Sequence, residues 1–323
     1  MMTEKVFLGI DVGSVSTNIA ALDETGDVIW SRYLRNDGQP LQVIQEGLRN
    51  IRSEVPDLQI QGVGATGSGR LLAGSVLGAD IVKNEITAHA AAAIHFYPKV
   101  RTILEIGGQD SKIIMIQNGV VVDFAMNTVC AAGTGSFLDH QAERLKIPIT
   151  DFGDLALTAT RKVNIAGRCT VFAESDMIAK QQFGFSKADI INGLCEALVR
   201  NYLSNLARDK ELASPILFQG GVAANRGIKA AFERELKASI IIPSYYDVMG
   251  AVGAALLARR WLRRLNKNSR FRGFDQLMAD LNPSTFECEG CSNRCEVIRV
   301  EQDRRIIAIW GDKCGKYTNS ISA

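Results

Sequence analysis

Apolar and polar positions along the chain fall into one strand-turn-strand pattern that occurs twice. One copy spans residues 6–29 and the other spans residues 102–122. In each copy an apolar run ends at an acidic residue, a glycine turn follows, and a second run has the alternation of a strand. When the copies are aligned, Asp11 corresponds to Glu105, 94 positions later. The repetition predicts two related lobes, each built around one such hairpin.

The segments between and after the hairpins carry helical and strand patterns in alternation, which favours an α/β fold with mixed sheets. Predicted helices lie at 41–54, 84–97, 134–146, 186–209 and 247–265, and predicted strands at 60–69 and 215–221. We predict lobe I over 1–98, with helix 247–265 packing back on it, and lobe II over 99–246. After Pro283 cysteines cluster, so residues 283–323 are predicted to form a separate, small Cys-rich module.

The composition narrows the class of protein. The chain has 323 residues, of which 46% are apolar and 22% charged, and a net charge of +2 gives no reason to expect a nucleic-acid or membrane partner. The apolar stretches are too short for a transmembrane helix. Seven cysteines without a secretion signal indicate thiols that are reduced or metal-bound. These features predict a soluble cytoplasmic protein.

Three glycine-bearing segments predict a nucleotide site. Glycine turns in the two hairpins free backbone N–H groups to approach a polyphosphate, and the adjacent acids call for Mg²⁺ as an intermediary. In the third segment a strand ends at Gly220 and Gly221, where a nucleoside can lie against bare backbone. None of the three matches GxxxxGK[ST], which disfavours a P-loop enzyme. The hairpins are expected to clamp the nucleotide between the lobes.

The chain resembles the actin, sugar kinase and Hsp70 superfamily, whose two RNase H-like lobes surround a nucleotide cleft. Within it, the chain is similar to the activators of 2-hydroxyacyl-CoA dehydratases and to the ATPase subunits of benzoyl-CoA reductases. The segments that carry this resemblance, over about residues 4–260, are GIDVGSVSTN, EIGGQDSK, NTVCAAGTGSFLD, GRCTVFAESD and FQGGVAAN. The resemblance implies an anaerobic, ATP-dependent iron–sulfur reductase. It would pass one electron from ferredoxin or flavodoxin to a partner iron–sulfur enzyme, which is a dehydratase, a benzoyl-CoA reductase-like enzyme or a double-cubane cluster protein.

The resemblance also implies roles for individual residues. Asp11 and Glu105 would act on Mg²⁺ and its waters, and either Gln109 or Asp110 would position the attacking water. The expected nucleotide contacts are Gly13, Ser14, Val15, Ser16, Thr17, Asn18, Gly107, Gly108, Lys112, Gly133, Gly135, Gly220, Gly221 and Asn225. Many family members carry lysine where this chain has Asn18. We hypothesise that Lys112, its counterpart in the second repeat, supplies part of the missing charge.

Two cysteines lie in the motifs that carry the resemblance. Cys130 and Cys169 each precede a predicted helix start, where backbone N–H groups stabilise a thiolate. From the residues alone, buried structural cysteines are the favoured interpretation. A [4Fe-4S] cluster takes four thiolates, and the resemblance implies one cluster shared across a homodimer. Cys195 lies in an apolar helical segment and is expected in the core.

The tail has a second group of cysteines. Cys288, Cys291, Cys295 and Cys314 have the spacing of a structural Zn²⁺ knuckle or of a further iron–sulfur cluster, and the spacing leaves both metals open. Compact activators end near the glycine-rich helix 247–265. The tail is similar to the segment that follows the activator part of long, multi-module members.

Two other functions remain compatible with the sequence. A small-molecule kinase of the same superfold would not need Cys130 and Cys169 as thiolates. A filament-type ATPase would polymerise with ATP and carry no redox activity.

Overall fold

The computed structural model describes residues 4–55, 57–127, 130–277, 280–302 and 304–318. Within it the chain divides into two compact units. One unit comprises the chain up to Ala92 together with the chain from Gly250 onward, and the other comprises Ala93–Met249. Thr128 and Val129 of the predicted Cys130 segment, and Asp303 of the tail, lie outside the described residues.

The first unit contains a five-stranded sheet in the order β3-β2-β1-β4-β5. The pairs β1–β2 and β2–β3 are antiparallel, and the pairs β1–β4 and β4–β5 are parallel. Its strands are β1 (Glu4–Val12), β2 (Ser16–Leu22), β3 (Val28–Arg35), β4 (Leu58–Thr66) and β5 (Ile81–Val82). The helices of this part of the chain are α1 (Pro40–Glu54), α2 (Arg70–Leu77) and α3 (Glu85–Phe96).

The second unit repeats this sheet in full, with the order β8-β7-β6-β9-β10 and the same pattern of strand directions. Its strands are β6 (Thr102–Ile106), β7 (Ser111–Gln117), β8 (Val120–Asn127), β9 (Ile216–Gln219) and β10 (Ile240–Ile241). Its helices are α4 (Gly135–Leu145), α5 (Ile149–Leu157), α6 (Thr170–Gln182), α7 (Lys187–Leu206) and α8 (Arg226–Leu236). The duplication read from two hairpins therefore extends to all five strands.

Each sheet has a core of its own. In the first unit the alternate side chains of β1 and β4 pack against α1 and α2, with Leu48 and Leu77 fully buried. In the second unit, helix α7 covers the sheet, and the rings of Tyr202 and Phe218 each pack edge-on against Phe232. These apolar faces fix the register of the strands, because a one-residue slip would turn every buried side chain outward.

Helix α9 (Met249–Leu265) packs against the first sheet through glycines. A Cβ at Gly9 would lie 1.8 Å from the carbonyl oxygen of Ala251, and a Cβ at Gly64 would lie 2.0 Å from that of Ala254. Any side chain at either glycine would push the helix off the sheet. Glycine at these two positions of β1 and β4 therefore permits the close backbone approach of α9.

The structure does not separate the tail from the first unit. The chain after α9 forms α10 (Phe274–Leu277) and an antiparallel sheet of β11 (Asn282–Glu287), β12 (Glu296–Gln302) and β13 (Arg305–Trp310). Val300, Ala308 and Trp310 are buried in the same hydrophobic core as β1, β4 and α2. The structure does not confirm a separate module over 283–323, because the apolar face of the tail sheet lies in the core of the first unit. No helix in the described ranges is long and apolar enough to cross a membrane.

Candidate functional site

The turn of the first hairpin is held by a side chain that the sequence did not indicate. The Gly13 N–H donates to the Ser16 carbonyl over 2.8 Å and closes the turn. Asn36, directly after β3, donates from Nδ2 to the Gly13 carbonyl over 2.7 Å and from its backbone N–H to the Val15 carbonyl over 2.9 Å. Its Oδ1 accepts from the Thr17 hydroxyl over 2.7 Å. Asn36 therefore fixes the turn from behind, while Ser14 at its tip is exposed.

The turn of the second hairpin is closed by the equivalent backbone hydrogen bond, but different residues hold it in place. The Gly107 N–H donates to the Asp110 carbonyl over 3.0 Å, the counterpart of the bond between Gly13 and Ser16. The carbonyls of Gly107 and Gly108 accept from the backbone N–H groups of Gly135 and Ser136, over 2.9 and 2.8 Å. The Ser136 hydroxyl also donates to the Gly108 carbonyl, over 2.5 Å. The turn is thus attached to the start of α4.

The predicted acidic residues lie at equivalent points of the two sheets. Asp11 in β1 pairs across the sheet with Asn18 in β2 and Thr66 in β4. All three side chains are buried. Parallel and antiparallel neighbours at the same register direct their side chains to the same face. Asp11, the acidic residue predicted to act on Mg²⁺ in lobe I, therefore lies between the amide side chain of Asn18 and the hydroxyl side chain of Thr66.

In the second sheet the equivalent row contains a lysine. Glu105 in β6 pairs with Lys112 in β7 and with Gln219 in β9. The Lys112 ammonium, only 2% exposed, lies 3.0 Å from Glu105 Oε2 and 2.8 Å from Asp110 Oδ1. The Tyr202 hydroxyl donates to the Lys112 carbonyl over 2.6 Å. The charge of Lys112 is therefore shared with two carboxylates of its own hairpin.

A glycine with a positive φ lies beside each acidic residue. Gly67 has φ +94°, and a Cβ there would lie 2.3 Å from the Val12 carbonyl and 2.6 Å from Asp11 Oδ1. Gly220 has φ +87°, and a Cβ there would lie 2.4 Å from the Ile106 carbonyl and 2.6 Å from Glu105 Oε1. Only glycine tolerates this combination of backbone angle and crowding. Gly220 was predicted from the sequence, whereas Gly67 was not.

The remaining predicted nucleoside residues lie at the start of α8. Gly221 begins a short 3-10 turn that ends at Ala224, and Gly221 itself is exposed. Asn225 is the N-cap of α8, where its Oδ1 accepts from the Ile228 N–H over 3.0 Å. The Nδ2 group of Asn225 is buried without a hydrogen-bond partner among the described residues. It is thus a buried donor available to a ligand.

Cys130 and Cys169 are both half-buried and both precede helical turns, as the sequence predicted. The Asn127 side chain holds the backbone of Cys130, accepting from its N–H over 2.9 Å and donating to its carbonyl over 2.8 Å. Cys169 is the N-cap residue of α6, and no side chain caps that helix. The first amides of α6 are therefore available to an anion.

Helix α7 brings the two cysteine segments to one side chain. Asn201 donates from Nδ2 to the carbonyl of Gly167, over 2.6 Å, two residues before Cys169. A Cβ at Gly133, three residues after Cys130, would lie 2.8 Å from Asn201 Oδ1. Asn201 and Tyr202 are adjacent, so α7 contacts both cysteine segments and the Lys112 strand. Gly133 and Gly135 were both predicted to bind the nucleotide, and a Cβ at Gly135 would lie 3.0 Å from the Gly107 carbonyl oxygen.

The described residues include no group of three or more His, Cys, Asp or Glu side chains that could hold a metal ion. In the tail, Cys288 is buried and Cys295 half-buried, while Cys291 and Cys314 are exposed. The four do not form the expected site in this structure, and metal binding by the tail stays a prediction. Burial raises the pKa of the Cys195 thiol to about 12, which suits a core residue.

Comparison of the sequence with known proteins identifies a family of ATPases. Residues 8–258 match the BadF/BadG/BcrA/BcrD ATPase family. The chain belongs to this family. It is 35% identical over 254 residues to the (R)-2-hydroxyglutaryl-CoA dehydratase activating ATPase of Acidaminococcus fermentans, covering 78% of this chain and 96% of that protein. Residues 259–323, which include the tail, lie beyond the match to the BadF/BadG/BcrA/BcrD family.

Solved structures give the same result. The activator of the 2-hydroxyisocaproyl-CoA dehydratase from Clostridium difficile, solved with bound ADPNP, superposes with a TM-score of 0.73 at 31% identity, covering 81% of this chain and 97% of that one. A ROK family glucokinase from Streptomyces griseus shares the fold alone, with a TM-score of 0.50 at 14% identity, covering 79% and 99% of the two chains. The mixed α/β architecture with two sheets is therefore that of the actin, Hsp70 and ROK-type ATPases, as the sequence predicted. Family membership and its relationship to dehydratase activators are likewise confirmed.

Proposed function

We propose that this chain is an ATP-dependent iron–sulfur reductase that activates a partner iron–sulfur enzyme in the cytoplasm by transferring one electron. Ferredoxin or flavodoxin would donate the electron. The acceptor would be a 2-hydroxyacyl-CoA dehydratase, a benzoyl-CoA reductase-like enzyme or a double-cubane cluster protein. The proposal is supported by the similarity to activating ATPases of dehydratases and by the pair of half-buried cysteines at helical starts.

ATP and Mg²⁺ would be bound by the two hairpins. The backbone amides of turns 13–16 and 107–110 would hold the phosphates, and Asp11 and Glu105 would bind Mg²⁺ through its waters. The positive-φ glycines leave room beside each acidic residue, and the buried Nδ2 of Asn225 is a donor for the nucleoside. Asp110 is paired with Lys112 whereas Gln109 is exposed in the turn, which favours Gln109 as the residue that orients the attacking water.

Cys130 and Cys169 from two copies of the chain would supply four thiolates to one shared cluster. Asn127 and Asn201 fix the backbone of the two segments, and the uncapped amides of α6 would face a cluster bound through Cys169. A [4Fe-4S] cluster bound there would supply the one-electron carrier.

The observation that carries the proposal is the attachment of α4 to the second phosphate turn. The first N–H groups of α4 bind the carbonyls of Gly107 and Gly108, and Cys130 lies five residues before α4 begins. A displacement of this turn by a bound phosphate would therefore move the Cys130 segment. Helix α7 offers a parallel connection, from the Lys112 carbonyl through Tyr202 and Asn201 to Gly167.

Anaerobic electron paramagnetic resonance of the dithionite-reduced protein tests this proposal. The wild type is expected to hold about four irons per dimer outside the tail, with a cubane signal that shifts when MgATP is added. Cys130→Ala should lose the iron and the signal. Cys195→Ala is the matched control and should retain both, because Cys195 is buried in the core.

Absence of iron from the wild type would contradict the reductase and favour the small-molecule kinase. Zinc and iron are quantified in the same samples. About twelve irons per dimer would indicate a further cluster in each tail, whereas about four irons and two zincs would identify the tail metal as structural.

A further inference from the structure

The loop between β4 and α2 lies directly against the first phosphate turn. The Gly69 N–H donates to the Val12 carbonyl over 2.8 Å, and the Ser68 hydroxyl donates to the same carbonyl over 3.3 Å. A Cβ at Gly69 would lie 2.6 Å from Val12 Cγ1, so the loop is in close contact with the end of β1. Val12 immediately precedes the turn 13–16. The loop is therefore a direct neighbour of the backbone that the proposed function assigns to the phosphates.

Arg70 begins α2 and holds its guanidinium at this loop. Its Nη1 donates to the Gly67 carbonyl over 3.1 Å. Gly67 lies beside the acidic residue of the hairpin, since a Cβ there would lie 2.6 Å from Asp11 Oδ1. Arg70 is half-buried, and a guanidinium has several N–H donors, of which this bond uses only one. The positive charge is thus held close to the turn, with donors left for a ligand.

The first hairpin has no basic residue of its own. Residues 6–29 contain no lysine or arginine, and Asn18 stands at the position that Lys112 has in the second repeat. The Lys112 ammonium is shared with two carboxylates of its own hairpin. A polyphosphate bound at the first turn would therefore find its positive charge, apart from Mg²⁺, in the loop beside the turn.

Arg70 also differs from the corresponding arginine of the second repeat. Among the described residues the Arg70 guanidinium bonds only to the Gly67 carbonyl and forms no ion pair. Helix α8 likewise begins with an arginine, Arg226, but that guanidinium pairs with Asp154 at 2.9 Å. The arginine beside the first turn thus keeps its full charge for a ligand, whereas the second is neutralised by a carboxylate.

We propose that Arg70 binds a phosphate group of the nucleotide at the first turn and supplies the cation that this hairpin lacks. The planar fork of a guanidinium matches the geometry of phosphate oxygens and can bind two of them at once. The bond to Gly67 restrains the long side chain beside the turn, so little of its freedom is lost when the phosphate binds. This inference rests on the proposed function, because it takes the nucleotide to be bound at this turn.

Calorimetric titration of the full-length protein with MgADPNP tests the role of Arg70. Arg70→Ala is expected to weaken MgADPNP binding by about tenfold or more, because a hydrogen bond between charged groups is lost. Arg70→Lys keeps the charge without the fork and should recover part of this affinity. The affinity of Arg70→Ala should also fall less steeply with KCl than that of the wild type, since one charge no longer contributes.

Arg52→Ala is the matched control. It removes one arginine from the same unit, but Arg52 is exposed and pairs with Asp275 on α10, so MgADPNP should bind as to the wild type. The inference is overturned if Arg70→Ala binds as well as Arg52→Ala, or if Arg70→Lys is as weak as Arg70→Ala. A wild type that does not bind MgADPNP would instead contradict the proposed function, so the two failures are distinguishable.

A crystal structure of the wild type with MgADPNP gives a second measurement that needs no variant. A phosphate oxygen is expected within about 3 Å of the Arg70 guanidinium. Nucleotide bound at the turn 13–16 with the guanidinium in contact with Gly67 alone would overturn the inference.

Discussion

At the scale of single residues, the two repeats share a glycine that only the structure relates. Gly67 and Gly220 follow β4 and β9 and have positive φ, and a Cβ at either would collide with the carboxylate of Asp11 or Glu105. Gly220 is visible in the sequence because it begins a glycine pair. Gly67 lies in the segment TGSG, which the sequence pattern predicted to be part of a strand. Gly67 directly follows β4, and β4 pairs in parallel with β1, which carries Asp11. This position is the signal by which Gly67 could have been found.

Alanine at either glycine is expected to destabilise the protein and weaken nucleotide binding. Gly67→Ala and Gly220→Ala should each lower the free energy of unfolding by roughly 1–3 kcal/mol, because a Cβ would strain the backbone and collide with a carbonyl. Denaturant unfolding and calorimetric titration of ADP measure the two effects.

The matched controls are Gly38→Ala and Gly119→Ala, which also have positive φ, +79° and +72°, but nothing within 4 Å of the new Cβ. They carry only the backbone cost of about 1 kcal/mol and should bind ADP normally. Equal losses of ADP affinity in all four variants would contradict the assignment.

At the scale of elements, α7 connects the parts of the second unit. Its start carries a capping box formed by Ser186 and Asp189, and its last turns contact Lys112 and Gly167 through Tyr202 and Asn201. The 186–209 pattern predicted the helix itself, which runs Lys187–Leu206. Helix α5 was missed, and α6 was predicted only as a helix start after Cys169. The partners of α7 were not predictable, because they lie far from it in sequence.

The buried carboxylate at the start of α7 predicts a dependence of stability on pH. The backbone N–H of Arg161, together with hydrogen bonds from Ser186 and Thr160, holds the pKa of Asp189 well below its ordinary value. A carboxyl with a lowered folded-state pKa stabilises the fold above its unfolded pKa of about 3.9, and this contribution is lost as the pH falls below it. Asp189→Asn should therefore lower Tm at pH 7 and lose less stability than the wild type between pH 6 and pH 3.

Asp154→Asn is the control, since Asp154 forms an exposed ion pair with Arg226. Such pairs contribute little, so its Tm should follow the wild type at every pH. A Tm profile of Asp189→Asn parallel to that of the wild type would refute the assigned role.

At the scale of the whole molecule, the tail is a structural part of the first unit. Asp80, buried beside α2, accepts from the Ser269 hydroxyl and the Arg270 N–H, both over 2.7 Å, and so ties down the chain that leads to the tail. Trp310 then enters the core that contains α2. Cysteine clustering suggested an independent module, but the apolar face of β12 and β13 needs a partner surface and finds it there.

Trp310→Ala is expected to destabilise the first unit as a whole. Removing a buried indole costs roughly 3–5 kcal/mol, and hydrogen exchange should speed up in residues 70–77 of α2 as well as in the tail. Ile306→Ala, on the same strand but 44% exposed, should leave exchange in α2 unchanged. Faster hydrogen exchange confined to the tail in Trp310→Ala would instead support a separate tail module.

The sequence by itself determined the features that depend on neighbouring residues. These are the acid-and-glycine hairpins at a spacing of 94, the helix starts after Cys130 and Cys169, and the resemblance to dehydratase activators. Local backbone chemistry fixes such features, so a short window of sequence contains them. Tertiary structure alone decided that Asn36 braces the first turn, that Lys112 pairs with Glu105 and Asp110, and that Thr66, Asp11 and Asn18 form one row. Those contacts follow from strand register and helix packing, which are set by the burial of whole apolar faces.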